Sequence, residues 1–362
     1  MSIDRLGPVG TLTATRFHQL AAAFSRLHVV VVGDIILDEY LWGVVTRVSP
    51  EAPVPVVEEQ RRSYAAGGAG NVAVNVAALG ARASLIGVVG RDTAATHLVG
   101  VLQEAGVVDA SLLPLDRPTT LKTRVLSGHH QVCRIDREER APIGSAAEEA
   151  LLDALLSRLS VAHGVILSDY NKGLFADGLA ERIRDAAHRL GKPVLANPKP
   201  ANLLRFRGID LVSVNQSEAE ACAGFRLDAG DSLARAGSEL RALAQTEAVL
   251  VTLGGQGLAI FSAAGSHHLH ALRQEVFDVC GAGDSVIAAA ALARAAGGDW
   301  VEVAAIANLA GNAKVRKRLV VPVSVADLEA VRAASPPPEG ATSPPRTARG
   351  EGRASLAPND PA

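Results

Sequence analysis

The tetrapeptide Gly281-Ala-Gly-Asp284 runs directly into a mainly apolar stretch of helical character, Ser285 to Ala296. Glycines at such a place permit a tight turn and close backbone approach. The helix that follows offers unpaired N–H groups and a positive partial charge at its N-terminus, which suit a phosphate. Asp284 falls in the first turn, where a carboxylate can reach a hydroxyl lying beside that phosphate. A carboxylate base next to an N–H anion site is what in-line phosphoryl transfer requires. The plain alternative is a glycine-rich loop with an ordinary first-turn aspartate. The segment is not a Walker A loop, because no Gly-Lys-Ser/Thr follows.

Two further segments have chemical potential. Gly67-Gly-Ala-Gly-Asn71 precedes a helix predicted from about Val72 to Leu79. Its backbone can approach a polyol, and Asn71 can both donate and accept hydrogen bonds; the alternative is a loop with Asn71 as N-cap. Asn215-Gln-Ser-Glu218 sits between a strand and a helix. Glu218 can hold Mg²⁺ through water, although the same pattern is also a common helix start.

The elements that position these residues follow from composition and rhythm. Hydrophobic residues make up 48% of the 362-residue chain but aromatics only 3%, so small aliphatic side chains must fill the core. That suits buried parallel strands. After Ala147 helices (Glu148–Leu159, Leu179–Leu190, 233–244) alternate with strands (Gly164–Ser168, Pro193–Ala196, Asp210–Val214, Ala248–Thr252). With Val29–Val32 running into Gly33-Asp34, this rhythm predicts an α/β fold with a doubly wound, mainly parallel sheet. Polar residues recur just after the strands: Asp34, Asp169, Asn197, Asn215 and Gly254. In open α/β sheets that edge binds ligands. The proline-rich stretch Pro50–Glu59 and the segment Thr119–Asp136 are expected to form a small β-lid outside the main sheet.

Residues 1–27 read as an N-terminal extension with a helix from about Thr15, and 28–332 as the main domain, with lid segments near 44–64 and 119–136. Residues 333–362, rich in Pro, Gly and Ser, read as a disordered tail. A net formal charge of −2 gives no footing for nucleic acid. Three scattered cysteines, Cys133, Cys222 and Cys280, form neither a disulfide framework nor a metal knuckle. The N-terminus lacks a signal pattern, and the apolar runs are too short to span a bilayer, so a cytoplasmic protein without membrane partners is expected.

Taken together and in order, Gly33-Asp34, Gly67-Gly68 with Asn71, Asn215-x-x-Glu218 and Gly281-Ala-Gly-Asp284 resemble the ribokinase-like (PfkB) carbohydrate kinases. The resemblance spans about Leu27 to Val331. Within that family, Gly33–Gly43, Arg47-Val-Ser-Pro-Glu-Ala-Pro-Val-Pro-Val56, Thr120–Leu126, Leu167–Gly173, Asn197-Pro-Lys199 and Glu275–Val279 are similar to the branch acting on D-glycero-β-D-manno-heptose 7-phosphate.

The resemblance implies transfer from ATP with Mg²⁺ and a place for a monovalent cation. It makes Asp284 the base, and Gly281, Ala282 and Gly283 the turn whose N–H groups meet the phosphoryl group. Asp34, Asp38, Gly67, Gly68, Asn71 and Asp169 would hold the sugar. Lys122, Arg124, Arg134 and Lys172 are candidates for its 7-phosphate, each also readable as a solvated charge. Asn197, Lys199, Asn215, Thr252, Gly254, Gly257 and Asn308 would serve the nucleotide, with Glu218 and Asn215 on Mg²⁺ through water. A homodimer is implied, and a separate nucleotidyltransferase is expected to act next, since no second βαβ series follows. The alternatives are another sugar kinase, acting on ribose, fructose or a fructose phosphate, and a non-catalytic sensor on the same fold.

Three departures stand out. Asn197 replaces an aspartate and Cys280 a Thr or Ser. Asn308 to Pro322 lacks the expected Gly-Lys-x-Gly-Thr, which puts the adenine-side loop and the monovalent-cation site in question. Its basic run, Lys314 to Arg318, reads as a solvated helix face or as a contact to ATP phosphates.

Overall fold

Val29, Val30, Val31 and Val32 are all fully buried, and they divide between two cores. Val29 and Val31 join one apolar cluster and Val30 and Val32 the other. Successive side chains of a strand point to opposite faces. A run of four valines is therefore what a strand covered by helices on both sides needs.

A computed structural model of the chain describes residues 3–128, 130–228, 231–272 and 277–335. It opens with β1 (Asp4–Leu6), α1 (Ala14–Phe24) and β2 (His28–Gly33). β3 (Ile35–Val48) and β4 (Pro55–Gly68) form a long hairpin that returns into α2 (Ala69–Ala78). β5 (Arg82–Gly90), α3 (Thr93–Glu104) and β6 (Asp109–Leu115) follow, then β7 (Thr120–Ser127) and β8 (His130–Arg137). The second half runs α4 (Ser145–Leu159), β9 (Gly164–Ser168), α5 (Leu179–Arg189), β10 (Val194–Asn197), β11 (Leu211–Asn215) and α6 (Gln216–Ala223). It continues with α7 (Asp231–Ala244), β12 (Ala248–Thr252), β13 (Leu258–Ser262), β14 (Gly265–Leu269), α8 (Ala282–Ala295), α9 (Trp300–Lys314) and α10 (Val325–Ala334).

The main sheet has the order β1-β14-β13-β12-β11-β10-β9-β2-β5-β6. From β12 to β6 every pairing is parallel; β13 is antiparallel to both its neighbours. The expected doubly wound, mainly parallel sheet is therefore present. A second sheet, β4-β3-β7-β8, forms the lid.

Two boundaries differ from expectation. The lid does not begin near residue 44: β3 pairs with β4 from Ile35↔Gly68 outward and with β7 from Ile36↔Thr120. The first half of β3 is covered on both faces, so no polar–apolar alternation marks it as a strand. Pro50 and Pro53 sit in the tip joining β3 to β4, and Pro55 is the first residue of the edge strand β4. Residues 1–27 are not a mere extension either. β1 adds a parallel strand to the sheet edge through Asp4↔His267 and Leu6↔Leu269. Three residues are too short to show a period. Of the expected tail 333–362, residues 333 and 334 close α10 and those from 336 onward lie outside the described residues, as do Glu275 and Val276 of the Glu275–Val279 motif.

Candidate active site

Asp284 enters the site in the first turn of α8, which is capped by Gly281 in the left-handed region at φ +73°. A Cβ at Gly281 would stand 2.7 Å from Asn71 Nδ2, so backbone conformation and crowding both call for glycine. The run Ala288–Ala291 behind it is fully buried, and its small side chains let α8 pack centrally between α2 and α9.

The Asp284 carboxylate is 5% exposed. Tyr170 Oη donates to its Oδ1 at 2.6 Å and Asn71 Nδ2 to its Oδ2 at 2.6 Å. Burial pushes its pKa up to about 6, with the Asp38 charge adding to the rise and the two hydrogen bonds opposing it. The Tyr170 hydroxyl is pushed well above its ordinary range by burial and by Asp284, so it keeps its proton and donates. Asn71 is itself oriented by Asn75, whose Nδ2 donates to Asn71 O and Oδ1 at 2.9 and 3.1 Å. Asn75 Oδ1 in turn accepts from Ser285 Oγ and Val323 N.

Asp34 is 2% exposed at the end of β2. Its Oδ2 accepts the N–H groups of Tyr170 (2.7 Å) and Lys172 (3.1 Å), while Oδ1 is buried with no partner among the described residues. Its pKa is raised to about 6 by burial first and the Asp169 charge second. The Asp34 carbonyl accepts from Ala69 N at 2.9 Å. Gly68, at φ +56°, allows this closure, and a Cβ there would run into that carbonyl.

The lid lies over these groups. Asp38 pairs with Arg124 at 2.5 Å, and the Arg124 guanidinium lies 5.5 Å from the centre of the Tyr40 ring. Gly67 leaves room for the Asp38 carboxylate. Asp38, Lys122 and Asp136 are register neighbours across β3, β7 and β8, which places them on one face. Lys122 (3.6 Å) and Arg134 (2.8 Å) share Asp136. Lys172, 8% exposed, pairs with Glu138 at 2.6 Å. Asp169 accepts Asn171 N, Lys199 N and both-oxygen contacts from Asn202 Nδ2, and so fixes the loops beside the site.

On the other side of the α8 N-terminus lies a cleft of about 950 Å³. Asn215, Glu218, Thr252, Gly254, Gly257, Ala282, Gly283 and Asn308 all line it. Asn308 Nδ2 donates to Pro8 O and His270 O, tying down the cleft wall. Asn215 and Glu218 form a capping box at the start of α6, and Glu218 Oε1 also accepts Lys199 Nζ at 2.7 Å. Among the described residues no three His, Cys, Asp or Glu converge on a possible metal. One carboxylate at the cleft, already engaged on both oxygens, fits Mg²⁺ brought in on phosphates and reached through water, not a protein cage. Asn197, at the end of β10, keeps a buried Oδ1 without a partner among the described residues.

Two expectations need correction. The Ala282 N–H is not open to a ligand here, since it donates to Val279 O at 3.2 Å. Gly283 N–H, one residue on, has no helix carbonyl behind it. Lys314 does not lie on a solvated face. It is fully buried, with Nζ donating to Leu319 O at 2.7 Å. Cys280 is half-buried and free, and burial pushes its thiol up, away from thiolate reactivity.

The model of the pfkB family carbohydrate kinases matches residues 26–324. The chain belongs to this carbohydrate kinase family. The bifunctional protein HldE of Caulobacter vibrioides is 43% identical to this kinase over 314 residues, covering 86% of this chain and 64% of that protein. HldE of Bradyrhizobium diazoefficiens is 40% identical over 316 residues, with coverage of 86% and 64%. The kinase thus spans less than two thirds of the length of these curated relatives. Among solved structures, phosphofructokinase-2 from Escherichia coli in complex with potassium superposes with a TM-score of 0.71 at 21% identity, covering 85% of this chain and 98% of that one. Ribokinase from Arabidopsis thaliana complexed with ribose and ATP gives 0.66 at 21% identity, covering 84% and 98%. These likenesses show the fold.

Sequence reasoning about the kinase did not single out Tyr170 or Asn75 as parts of the site. Tyr170 stands beside the motif residue Asp169, and Asn75 lies one helical turn from Asn71, a spacing that puts both on one face. Those spacings were the available signals.

Proposed function

We propose that this kinase transfers the γ-phosphoryl group of MgATP to O1 of D-glycero-β-D-manno-heptose 7-phosphate, giving the 1,7-bisphosphate in nucleotide-activated heptose biosynthesis. The observation that carries phosphoryl transfer is Asp284: a buried carboxylate at a helix N-terminus, with a pKa of about 6, between the lid and the cleft. The choice of sugar is supported by the Ser49–Val56 resemblance and by the identity to HldE proteins.

Asp284 accepts the O1 proton as O1 bonds to the γ-phosphorus and the bond to the ADP oxygen breaks. Tyr170 and Asn71 hold the carboxylate in place for that step. Gly283 N–H meets the transferring group, and Ala282 N–H joins it on releasing Val279 O. Asp34 Oδ1, left unpaired, accepts a sugar hydroxyl. Asp38, Gly67, Gly68 and Asn71 surround the same sugar. Lys122 and Arg134 share a single carboxylate, so one net positive charge remains for the 7-phosphate. Arg124 and Lys172, each ion-paired, flank it. Magnesium, when bound, neutralises phosphate charge, with Glu218 and Asn215 holding its waters.

We assign the nucleotidyl step that follows to a catalytic unit outside residues 26–324. ATP as donor is consistent with a cytoplasmic setting, and among the described residues no helix is long and apolar enough to cross a membrane. The exposed Val44, Val45, Val48, Val54 and Ile135 give the lid an apolar surface suited to a second copy of the chain.

ADP release is measured by a coupled assay across heptose 7-phosphate, fructose 6-phosphate, fructose and ribose. The heptose phosphate is expected to exceed the others in kcat/KM by about a hundredfold or more. Equal or better turnover of fructose 6-phosphate or ribose would replace the proposed substrate.

A further inference from the structure

We infer that the Lys314 ammonium is a built-in monovalent cation, which braces the phosphoryl-holding turn from behind and makes this kinase independent of added potassium. Lys314 is the last residue of α9, where the helix dipole presents negative partial charge. Its side chain is fully buried, and its Cε lies 3.7 Å from the place a Cβ on Gly281 would occupy. The stem therefore backs directly onto the residue that caps α8.

Among the described residues the ammonium has one direct acceptor and a carboxylate that acts on it from beyond ion-pair distance. Nζ donates to Leu319 O at 2.7 Å. Burial lowers the Lys314 pKa from its ordinary value; Asp278 is first among the groups that oppose the fall, Asp284 also opposes it, and Lys317 adds to it. Asp278 Oδ2 accepts Leu319 N at 2.9 Å, and Oδ1 accepts Cys280 N at 2.9 Å. Leu319 is thus gripped at its N–H by Asp278 and at its carbonyl by Lys314.

Leu319 is one of three non-glycine residues at positive φ among the described residues, at +59°. A leucine in the left-handed region is strained, and such strain persists only where the surroundings over-determine it. The two bonds to Lys314 and Asp278 supply that constraint. They tie residues 314, 319 and 278–280 into one bracket leading into Gly281-Ala-Gly-Asp284.

A carbonyl and a helix C-terminus behind an anion-binding turn, with the Asp278 carboxylate at longer range, form a place suited to a small cation. Here that place holds a covalently attached ammonium, so these residues do not fit a bound potassium ion. The fold neighbour phosphofructokinase-2 was solved in complex with potassium, at 21% identity. Lys314 acts through the turn and touches neither substrate, so it is a positioning residue.

The inference rests on kinase activity but not on which sugar is used. Turnover is measured in potassium, ammonium and tetramethylammonium chloride at equal ionic strength. The wild-type rate is expected to agree within about twofold across the three salts. Lys314→Met is expected to lose about tenfold or more in tetramethylammonium and to regain most of that in potassium or ammonium. A wild-type enzyme activated more than about fivefold by potassium overturns the inference. So does a Lys314→Met enzyme fully active without a small cation. ATP affinity by calorimetry in the same salts needs no sugar. It is expected to be independent of cation identity for the wild type, and a potassium-dependent affinity overturns the inference even if the sugar assignment fails. The wild-type measurements stand whether or not the variant folds.

Discussion

The Tyr170 hydroxyl donates to Asp284 Oδ1 at 2.6 Å, while the N–H of the same residue donates to Asp34 Oδ2 at 2.7 Å. One residue thus ties together the two carboxyls whose pKa values burial raises to about 6. Both bonds lower the carboxyl pKa they touch, so Tyr170 limits how far burial can push either group.

Tyr170→Phe removes the bond to Asp284 and keeps the one to Asp34. The Asp284 pKa is expected to rise, moving the acid limb of kcat/KM to higher pH, with kcat falling by about tenfold. A pH–rate profile of the variant beside the wild type measures both. An acid limb at an unchanged pH would remove Tyr170 from the control of Asp284.

Asp284→Asn keeps the shape of the side chain and removes the base. The kcat is expected to fall by about 10³-fold or more, with the KM for ATP changed little. Coupled ADP release measures it, and retained turnover would end the role of Asp284 as base.

The raised pKa values have a sign for both activity and stability. Asp284 must be ionised to accept a proton, so kcat/KM is expected to rise through about pH 6. For stability, Asp34 and Asp284 hold protons more tightly folded than the ordinary aspartate value near 3.8. Between about pH 4 and 6 the folded chain therefore binds more protons, and their contribution falls as pH rises. Each group is responsible for roughly 3 kcal/mol at most across that window. Relative to wild type, Asp284→Asn is expected to be more stable in urea at pH 7 than at pH 4. An equal difference at both pH values would contradict the raised pKa.

The recurrence of polar residues after strands made much of this site legible in the sequence. Asp34, Asp169, Asn215 and Thr252 stand at or beside the C-terminal ends of β2, β9, β11 and β12, as a parallel sheet demands. The clamp on Asp284 was less legible, because Tyr170 and Asn71 come to it from 114 and 213 residues away. Lys314 was misread for a different reason. In sequence it belongs to a basic run, and a run of charges carries no sign that one member turns inward. Its burial appears only in the folded chain, where α9 packs against α8 and the Leu319 carbonyl takes the ammonium.

The lid cations offer a test of the 7-phosphate. Lys122→Met leaves Arg134 and Asp136 as a neutral pair. The KM for heptose 7-phosphate is expected to rise by about tenfold, with the KM for ATP unchanged. Parallel kinetics with the unphosphorylated heptose separate phosphate recognition from general loss. An equal effect on both sugars would move the phosphate site elsewhere.

The β3–β4 hairpin begins and ends at the floor of the pocket. Ile35, next to Asp34, pairs with Gly68, and the same two strands run outward to the exposed tip. The lid is therefore a lever whose fulcrum is formed by the residues assigned to grip the sugar. On the proposed sugar assignment, a tilt of the outer strands about this end would also shift the groups around the sugar, less whatever bending the register shifts at Trp42/Gly43 and Val45/Arg47 absorb. Closure and grasp would then be one movement, shared by two strands of 14 residues each.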